Sequence, residues 1–195
     1  MIIASNNKNK IVQFRDILPN FNLVGMRDAN INIDVEENGK TFEENSYIKA
    51  RAIHNISHDS VVSDDSGLCI DIYDGWPGVE THRFLGDDAS STDRNNYILD
   101  KMKNLDGIDR SCTSVCVITL IDKGGKAYSF RGETKGKISR EIRGLNSFGY
   151  DDIFELSDGR TMAELTNAEK YNYNARARAL NKLKEFVESN KDVEL

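Results

Sequence analysis

Val61-Val62-Ser63-Asp64-Asp65-Ser66-Gly67-Leu68-Cys69-Ile70-Asp71-Ile72-Tyr73-Asp74 sets two adjacent carboxylates between apolar runs. Leu68, Ile70 and Ile72 alternate with Cys69, Asp71 and Tyr73, the period of a half-buried strand. Asp64 and Asp65 are therefore expected in a turn between strands. Neighbouring carboxylates repel unless a cation, a proton or several donors neutralise them. A hard ion such as Mg2+, which shares oxygen ligands with substrate phosphates and water, suits them. Taken alone, the pair reads equally as a solvated acidic turn.

Outward from this stretch, Met1 to Ser5 reads as a short strand, and Ile11, Phe14, Ile17 and Leu18 follow at helical spacing. Between them the polar loop Ser5-Asn6-Asn7-Lys8-Asn9-Lys10 presents amide, hydroxyl and ammonium donors at a helix N-terminus, which favours phosphate. The loop has no glycine and also reads as a plain N-cap. Phe21 to Met26 is expected as a second strand, and Ile31, Ile33 and Val35 alternate as a third. Thr41 and Glu44 have capping-box spacing, opening a helix that runs to about Ile56 and places Asn45 and Lys49 on one face.

Beyond the acidic stretch, Gly75-Trp76-Pro77-Gly78 is turn-rich. Ser90 to Leu105 reads as a helix, Cys112 to Ile121 as a strand, and Lys123-Gly124-Gly125-Lys126 as the turn of a hairpin continuing to Arg131. Glycines and basic residues alternate from Gly132 to Gly149 and lead to Phe148-Gly149-Tyr150-Asp151. Aromatic rings beside glycine can stack on a planar base, or pack in the core. Thr166 and Glu169 have capping-box spacing, and a last helix carries the stripe Ala175, Ala179, Leu183, Phe186 and Val187 with Asn174 as its cap.

The chain has 195 residues, 38% apolar and 30% charged, with a net charge of -6. That length suits one domain, 1–195, without a linker, and the acidic balance argues against general nucleic-acid binding. No apolar run reaches the ~20 residues of a membrane span, and the start lacks a signal-peptide layout, so a cytoplasmic location is expected. Cys69, Cys112 and Cys116 read as core thiols. His54, His58 and His82 have no zinc-ligand spacing.

Five segments in order, S-N-N-K-N-K (5–10), E-N-G-K-T-F-E-E-N-S-Y-I-K-A (37–50), S-D-D-S-G-L (63–68) with P-G-V and R-F-L-G after it, S-F-G-Y-D-D-I-F (147–154) and A-E-L-T-N-A-E-K (163–170), carry a resemblance. Together they resemble the inosine/xanthosine triphosphate pyrophosphatase family, which hydrolyses noncanonical purine nucleoside triphosphates to the monophosphate and pyrophosphate. The resemblance implies an α/β fold: an elongated, twisted mixed β-sheet flanked by helices, two lobes with a nucleotide cleft between them, and a homodimer. It implies that Ser5, Asn7, Lys10 and Lys49 contact the triphosphate, with Asn6, Lys8, Asn9 and Ser66 in the same set. Glu37 and Asp65 would bind Mg2+, with Asp64 and Glu44 behind them, and Asp65 would be the catalytic base. Phe148 would stack on the base, Gly149, Tyr150 and Asp151 would shape its pocket, and Lys170 and Arg176 would lie nearby.

The chain departs from the family at Ser147, where a glycine is usual, at Asp152, where a proline is usual, and at Asn174-Ala175-Arg176 in place of Ser-His-Arg. Ala175 lacks a donor for a purine 6-oxo group. The leading expectation is thus a Mg2+-dependent pyrophosphatase for inosine and xanthosine triphosphates. The alternatives are the same hydrolysis with relaxed base specificity, or a nucleotide-binding module without turnover.

Overall fold

A computed structural model of the chain describes residues 1–86 and 88–195. Its strands are β1 (Ile2–Ile3), β2 (Val24–Gly25), β3 (Val61–Ile70), β4 (Trp76–Pro77), β5 (Ser111–Ile121), β6 (Ala127–Ile138) and β7 (Phe154–Glu155). The helices are α1 (Lys8–Ile17), α2 (Phe42–Ser57), α3 (Ser91–Lys101), α4 (Asn167–Lys170) and α5 (Ala175–Ser189). β1 pairs in parallel with both β2 and β3, while β3–β4 and β6–β7 are antiparallel, so the sheet is mixed and helices flank it.

Two compact units divide the chain: 1–66, 116–132 and 176–195 form the first, and 67–115 and 133–175 the second. The divisions fall inside β3, β5 and β6 and after the first residue of α5. In the first unit, Ile2, Ala4, Met26, Ile31, Ala50, Ile53, Val61 and Ile121 make one apolar cluster. In the second, Leu68, Ile70, Ile98, Met102, Ile138, Ile153, Phe154 and Leu165 are prominent in another. No helix among the described residues is long and apolar enough to cross a membrane.

The helix starts follow their capping chemistry. The Asn7 side chain accepts from the amides of Asn9 and Lys10, and that of Thr41 from Glu44, while Ser90/Asp93 and Thr166/Glu169 make full capping boxes. Helix α2 ends on His58 in the left-handed region, and α3 stops at Lys101, short of Leu105.

Three expectations are corrected. Asp64 and Asp65 do not sit in a turn: β3 runs unbroken through them to Ile70, and the chain leaves the strand only at the 3-10 turn of Asp71–Tyr73. The carboxylates can stay inside a strand because cations and polar side chains from packed helices meet them there. Ile31, Ile33 and Val35 do alternate, but they form no strand; Ile31 instead buries its side chain against the first unit's core. Lys8, Asn9 and Lys10 belong to the first turn of α1 rather than to a loop, because Asn7 caps immediately before them.

Gly144 shows where the backbone leaves no room. It has φ +89°, and a Cβ there would stand 2.3 Å from the carbonyl carbon of Ala163. Gly144→Ala is expected to cost at least about 2 kcal/mol, from the left-handed penalty alone plus the displaced backbone. Thermal unfolding should then shift down by ~4 °C or more at this chain length. An unchanged midpoint would mean that the 144–163 approach is loose.

Candidate active site

Successive side chains of a strand point to opposite faces, so two adjacent aspartates in β3 cannot share one environment. Ser63 and Asp65 face α2. The Ser63 hydroxyl donates to the Ser46 carbonyl at 2.6 Å, and the two hydroxyls lie 3.0 Å apart. Asp64 and Ser66 face α1 and α5, where Arg176 donates to both, at 3.0 and 3.1 Å.

On the Asp64 face, one carboxylate oxygen, Oδ2, takes the Lys10 ammonium at 3.0 Å and the Arg176 guanidinium at 3.0 Å. Arg176 also donates to Gln13 Oε1 at 2.9 Å. Asp64 is 1% exposed. Burial alone would raise its pKa, but Lys10, Arg176 and Lys49 outweigh burial and hold the carboxyl well below the usual range. Asp64 is thus a permanently charged anchor that gathers two cations.

The α2 face is poorer in positive charge. Lys49 reaches Glu37 Oε1 at 2.8 Å and donates to the Asp64 backbone carbonyl at 2.9 Å. Burial works against its charge, yet Asp64 and Glu37 prevail and raise its pKa. Asp65 has one oxygen on the Ser66 amide at 2.9 Å and the Asn45 side chain beside its carboxyl favours the charged form, while Oδ2 of Asp65, like Oδ1 of Asp64, is buried without a close hydrogen-bond partner. Burial pushes the Asp65 carboxyl up to about 6, with Lys49 opposing and the like charge of Glu37 adding to the rise. An unpartnered buried carboxylate oxygen beside a second carboxylate is a place where a cation fits. No group of three or more His, Cys, Asp or Glu side chains able to hold a metal occurs among the described residues. Mg2+ commonly needs only one or two carboxylates, with water and phosphate supplying the rest, so Glu37 and Asp65 suffice. Glu44 is not part of this group: exposed on the first turn of α2, it accepts from the Lys40 amide.

At the start of α1, Ser5 accepts from the Asn7 amide at 3.2 Å, and Asn6, Asn7, Lys8 and Asn9 are exposed. Lys10 alone of this run turns inward to the carboxylate pair. Gln13, Ser46 and Ser63 were not among the expected site residues. Gln13 was legible as the residue three positions after Lys10, on the same helical face; the two serines gave no signal.

In the second unit, the Phe148–Asp152 segment is a turn with Gly149 at φ +67°. Phe148, Gly149, Tyr150 and Asp151 are all half-buried. The Tyr150 hydroxyl donates to the Thr81 carbonyl at 2.5 Å, and burial raises its pKa to about 12. Lys170 pairs with Asp151 at 2.7 Å and also donates to the Asn146 carbonyl. It therefore braces the turn beside which it was expected. Arg176, expected near the base, lies in the Asp64 group. Ala175 is 3% exposed, so its methyl serves the buried face of α5. Ser147 and Asp152, two of the sequence departures, are hydrogen-bonded to each other.

A mixed sheet with helices around it and this split carboxylate pair suit a nucleotide-handling enzyme, and the chain belongs to the Ham1 family, matched over residues 1–186. It is 38% identical over 193 residues to a dITP/XTP pyrophosphatase of Clostridium perfringens, covering 94% of this chain and 95% of the relative. A dITP/XTP pyrophosphatase of Geobacter sulfurreducens is 39% identical over 190 residues, 96% of each chain. The solved Staphylococcus aureus Ham1 protein superposes with a TM-score of 0.88 at 35% identity, over 96% of this chain and 97% of that one. For the Mycobacterium abscessus nucleoside-triphosphatase / dITP/XTP pyrophosphatase the TM-score is 0.76 at 33% identity, over 93% and 97%.

Proposed function

We propose that this chain hydrolyses noncanonical purine nucleoside triphosphates, the inosine, deoxyinosine and xanthosine compounds, to the monophosphate and pyrophosphate. Mg2+ would be held by Glu37 and Asp65, in a cytoplasmic homodimer, as the family resemblance implies. The observation that carries the reading is the division of labour across β3: Asp64 Oδ2 pairs with Lys10 and Arg176 and its carboxyl is held low, while Asp65 on the other face has no such ion pair among the described residues and its carboxyl is pushed up by burial.

When bound, Mg2+ supplies charge neutralisation of the phosphates and acidifies water. Asp65 would accept a proton from the attacking water. Lys10 and Arg176, gathered on Asp64, and Lys49, gathered on Glu37, offer fixed positive charge toward a triphosphate, stabilising the charge that builds on the leaving pyrophosphate. Ser5 and the exposed side chains of Asn6, Lys8 and Asn9 add donors at the positive end of α1. Phe148 is assigned the base, by stacking.

Incubation with inosine triphosphate and Mg2+, with the products resolved by chromatography, tests this reading. Inosine monophosphate and pyrophosphate are expected; diphosphate with orthophosphate would reassign the bond that breaks. Phe148→Ala should raise KM about 5- to 100-fold, the equivalent of a stack worth ~1–3 kcal/mol. A KM unchanged in that variant would remove Phe148 from the base site. Because Ala175 presents only a buried methyl, a second reading keeps the chemistry with looser discrimination at the purine 6-position. A panel of inosine, xanthosine, guanosine and adenosine triphosphates separates the two.

A further inference from the structure

Asn95 lies in the middle of α3, fully buried, although nothing in the helical pattern marks it as more than a polar residue on the core side. Its side-chain nitrogen donates to the Gly149 carbonyl at 3.0 Å and to Asp152 Oδ1 at 2.5 Å. Both neighbours are pure acceptors, which fixes the orientation of the amide, because the reversed amide would set oxygen against oxygen. The amide oxygen, Oδ1, is left buried without a partner. Such a group costs stability. Asp152 is itself buried and takes a further hydrogen bond from Ser147. These contacts close a ring: α3 to Gly149, α3 to Asp152, and Asp152 back to Ser147.

We propose that Asn95 is a positioning residue for base recognition, clasping the Ser147–Asp152 turn so that Phe148 is presented in one conformation. The inference rests on the reading that Phe148 stacks on the base. The turn needs such a clasp. Gly149 sits in the left-handed region with nothing within 4 Å of where a Cβ would be, so neither a side chain nor packing restrains it. The turn's own backbone bond, Asp151 amide to Phe148 carbonyl, is long at 3.3 Å. The Tyr150 hydroxyl on Thr81 and the Lys170–Asp151 pair fasten the far side of the turn, whereas Asn95 and Ser147 fasten the side that carries Phe148 and Gly149. If releasing the clasp leaves about a tenth of the molecules with a competent turn, apparent affinity falls tenfold.

The test compares Asn95→Ala, Asp152→Ala, Asp152→Asn and Ser147→Ala in the full chain. With inosine triphosphate, Asn95→Ala and Asp152→Ala should each raise KM about tenfold with kcat within about twofold, and the double variant should be no worse than either single one. Asp152→Asn, which keeps an oxygen for Asn95 and Ser147, should recover most of the loss. Ser147→Ala, at an exposed position that tolerates truncation, should raise KM about two- to threefold and keeps the question open to experiment if Asn95→Ala does not fold. Inorganic tripolyphosphate, which has no base, should inhibit wild type and variants with the same Ki. Amide exchange at Asp151 and Ile153 in the ligand-free protein should be about tenfold faster in Asn95→Ala. Unchanged exchange in a folded variant sinks the clasp. Faster exchange with unchanged KM, or a tripolyphosphate Ki rising in step with KM, sinks the positioning role. A wild-type protein that does not turn over inosine triphosphate removes the functional reading and the positioning role with it, while exchange, which needs no turnover, still reports the clasp by itself.

Discussion

Asp65→Asn should all but abolish turnover and at the same time make the metal-free protein more stable. The first effect comes from deleting the proton acceptor and one negative charge at the proposed metal position; general-base assistance alone is worth about 10²–10⁴-fold. The second follows from the raised pKa. Asp65 moves from 3.8 to about 6 on folding, so the folded protein binds the proton more tightly than the unfolded chain does. Stability from this group is then fully present below about pH 4 and is lost as pH rises through 6. Above that, the charged carboxylate costs roughly 2–3 kcal/mol, because each tenfold difference in proton affinity between the folded and unfolded chain is worth about 1.4 kcal/mol. Asparagine carries no such charge. In the presence of a chelator, Asp65→Asn should unfold at a higher temperature than wild type at pH 8, with the difference vanishing toward pH 4. A variant that keeps more than about a tenth of wild-type kcat places the base elsewhere, and one less stable than wild type at pH 8 shows that the carboxylate is well compensated.

The neighbouring substitution, Asp64→Asn, should do the reverse to stability. It leaves Lys10 and the buried Arg176 facing each other without the anion that holds them. Breaking a buried ion pair by removing one partner costs about 3–5 kcal/mol. For a chain of this length that is roughly 6–20 °C in unfolding midpoint. The Asp64 pKa is depressed, so its contribution is present above the unfolded value and is lost as pH falls toward the folded one. The gap between wild type and variant should therefore be wide at pH 7 and narrow in strong acid. Activity should fall too, because both cations lose their fixed position. Equal midpoints for the two proteins at pH 7 would show that solvent reaches this cluster and that Asp64 anchors nothing.

The two predictions differ in sign for residues that are chemically identical and adjacent, and this difference was not legible in the sequence. Alternation in a strand could have told that Asp64 and Asp65 face opposite ways, had the strand been extended through them. A turn was expected there instead because the alternation was read only from Leu68 to Tyr73, which left the two carboxylates before the strand. The cost is offset by residues far off in the chain, Lys10 and Arg176 on one side and Lys49 on the other, and no local pattern joins those positions. Helices α1, α2, α3 and α5 were legible, since capping residues and apolar spacing agree over ten or more residues each. Ile31, Ile33 and Val35 misled because alternation reports a buried face and says nothing about whether a ladder partner exists. In the turn of the second unit, Phe148 to Asp151 stood out by composition, whereas Asn95 did not: its contacts depend on what α3 packs against.

Arg176 hydrogen-bonds Gln13 across 163 residues of chain and Asp64 across 112. The first unit is assembled from three separate stretches, of which the third begins at Arg176. Chain growth therefore imposes a timetable on the enzyme. During synthesis, at about 5–20 residues per second, β1, α1, α2 and the first half of β3 emerge early and wait while the whole second unit is made. Until α5 arrives, Asp64 and Gln13 lack their guanidinium partner. A nascent or prematurely released chain ending before Arg176 thus carries both aspartates with Lys10 and Lys49, yet lacks the guanidinium that ties Asp64 to Gln13.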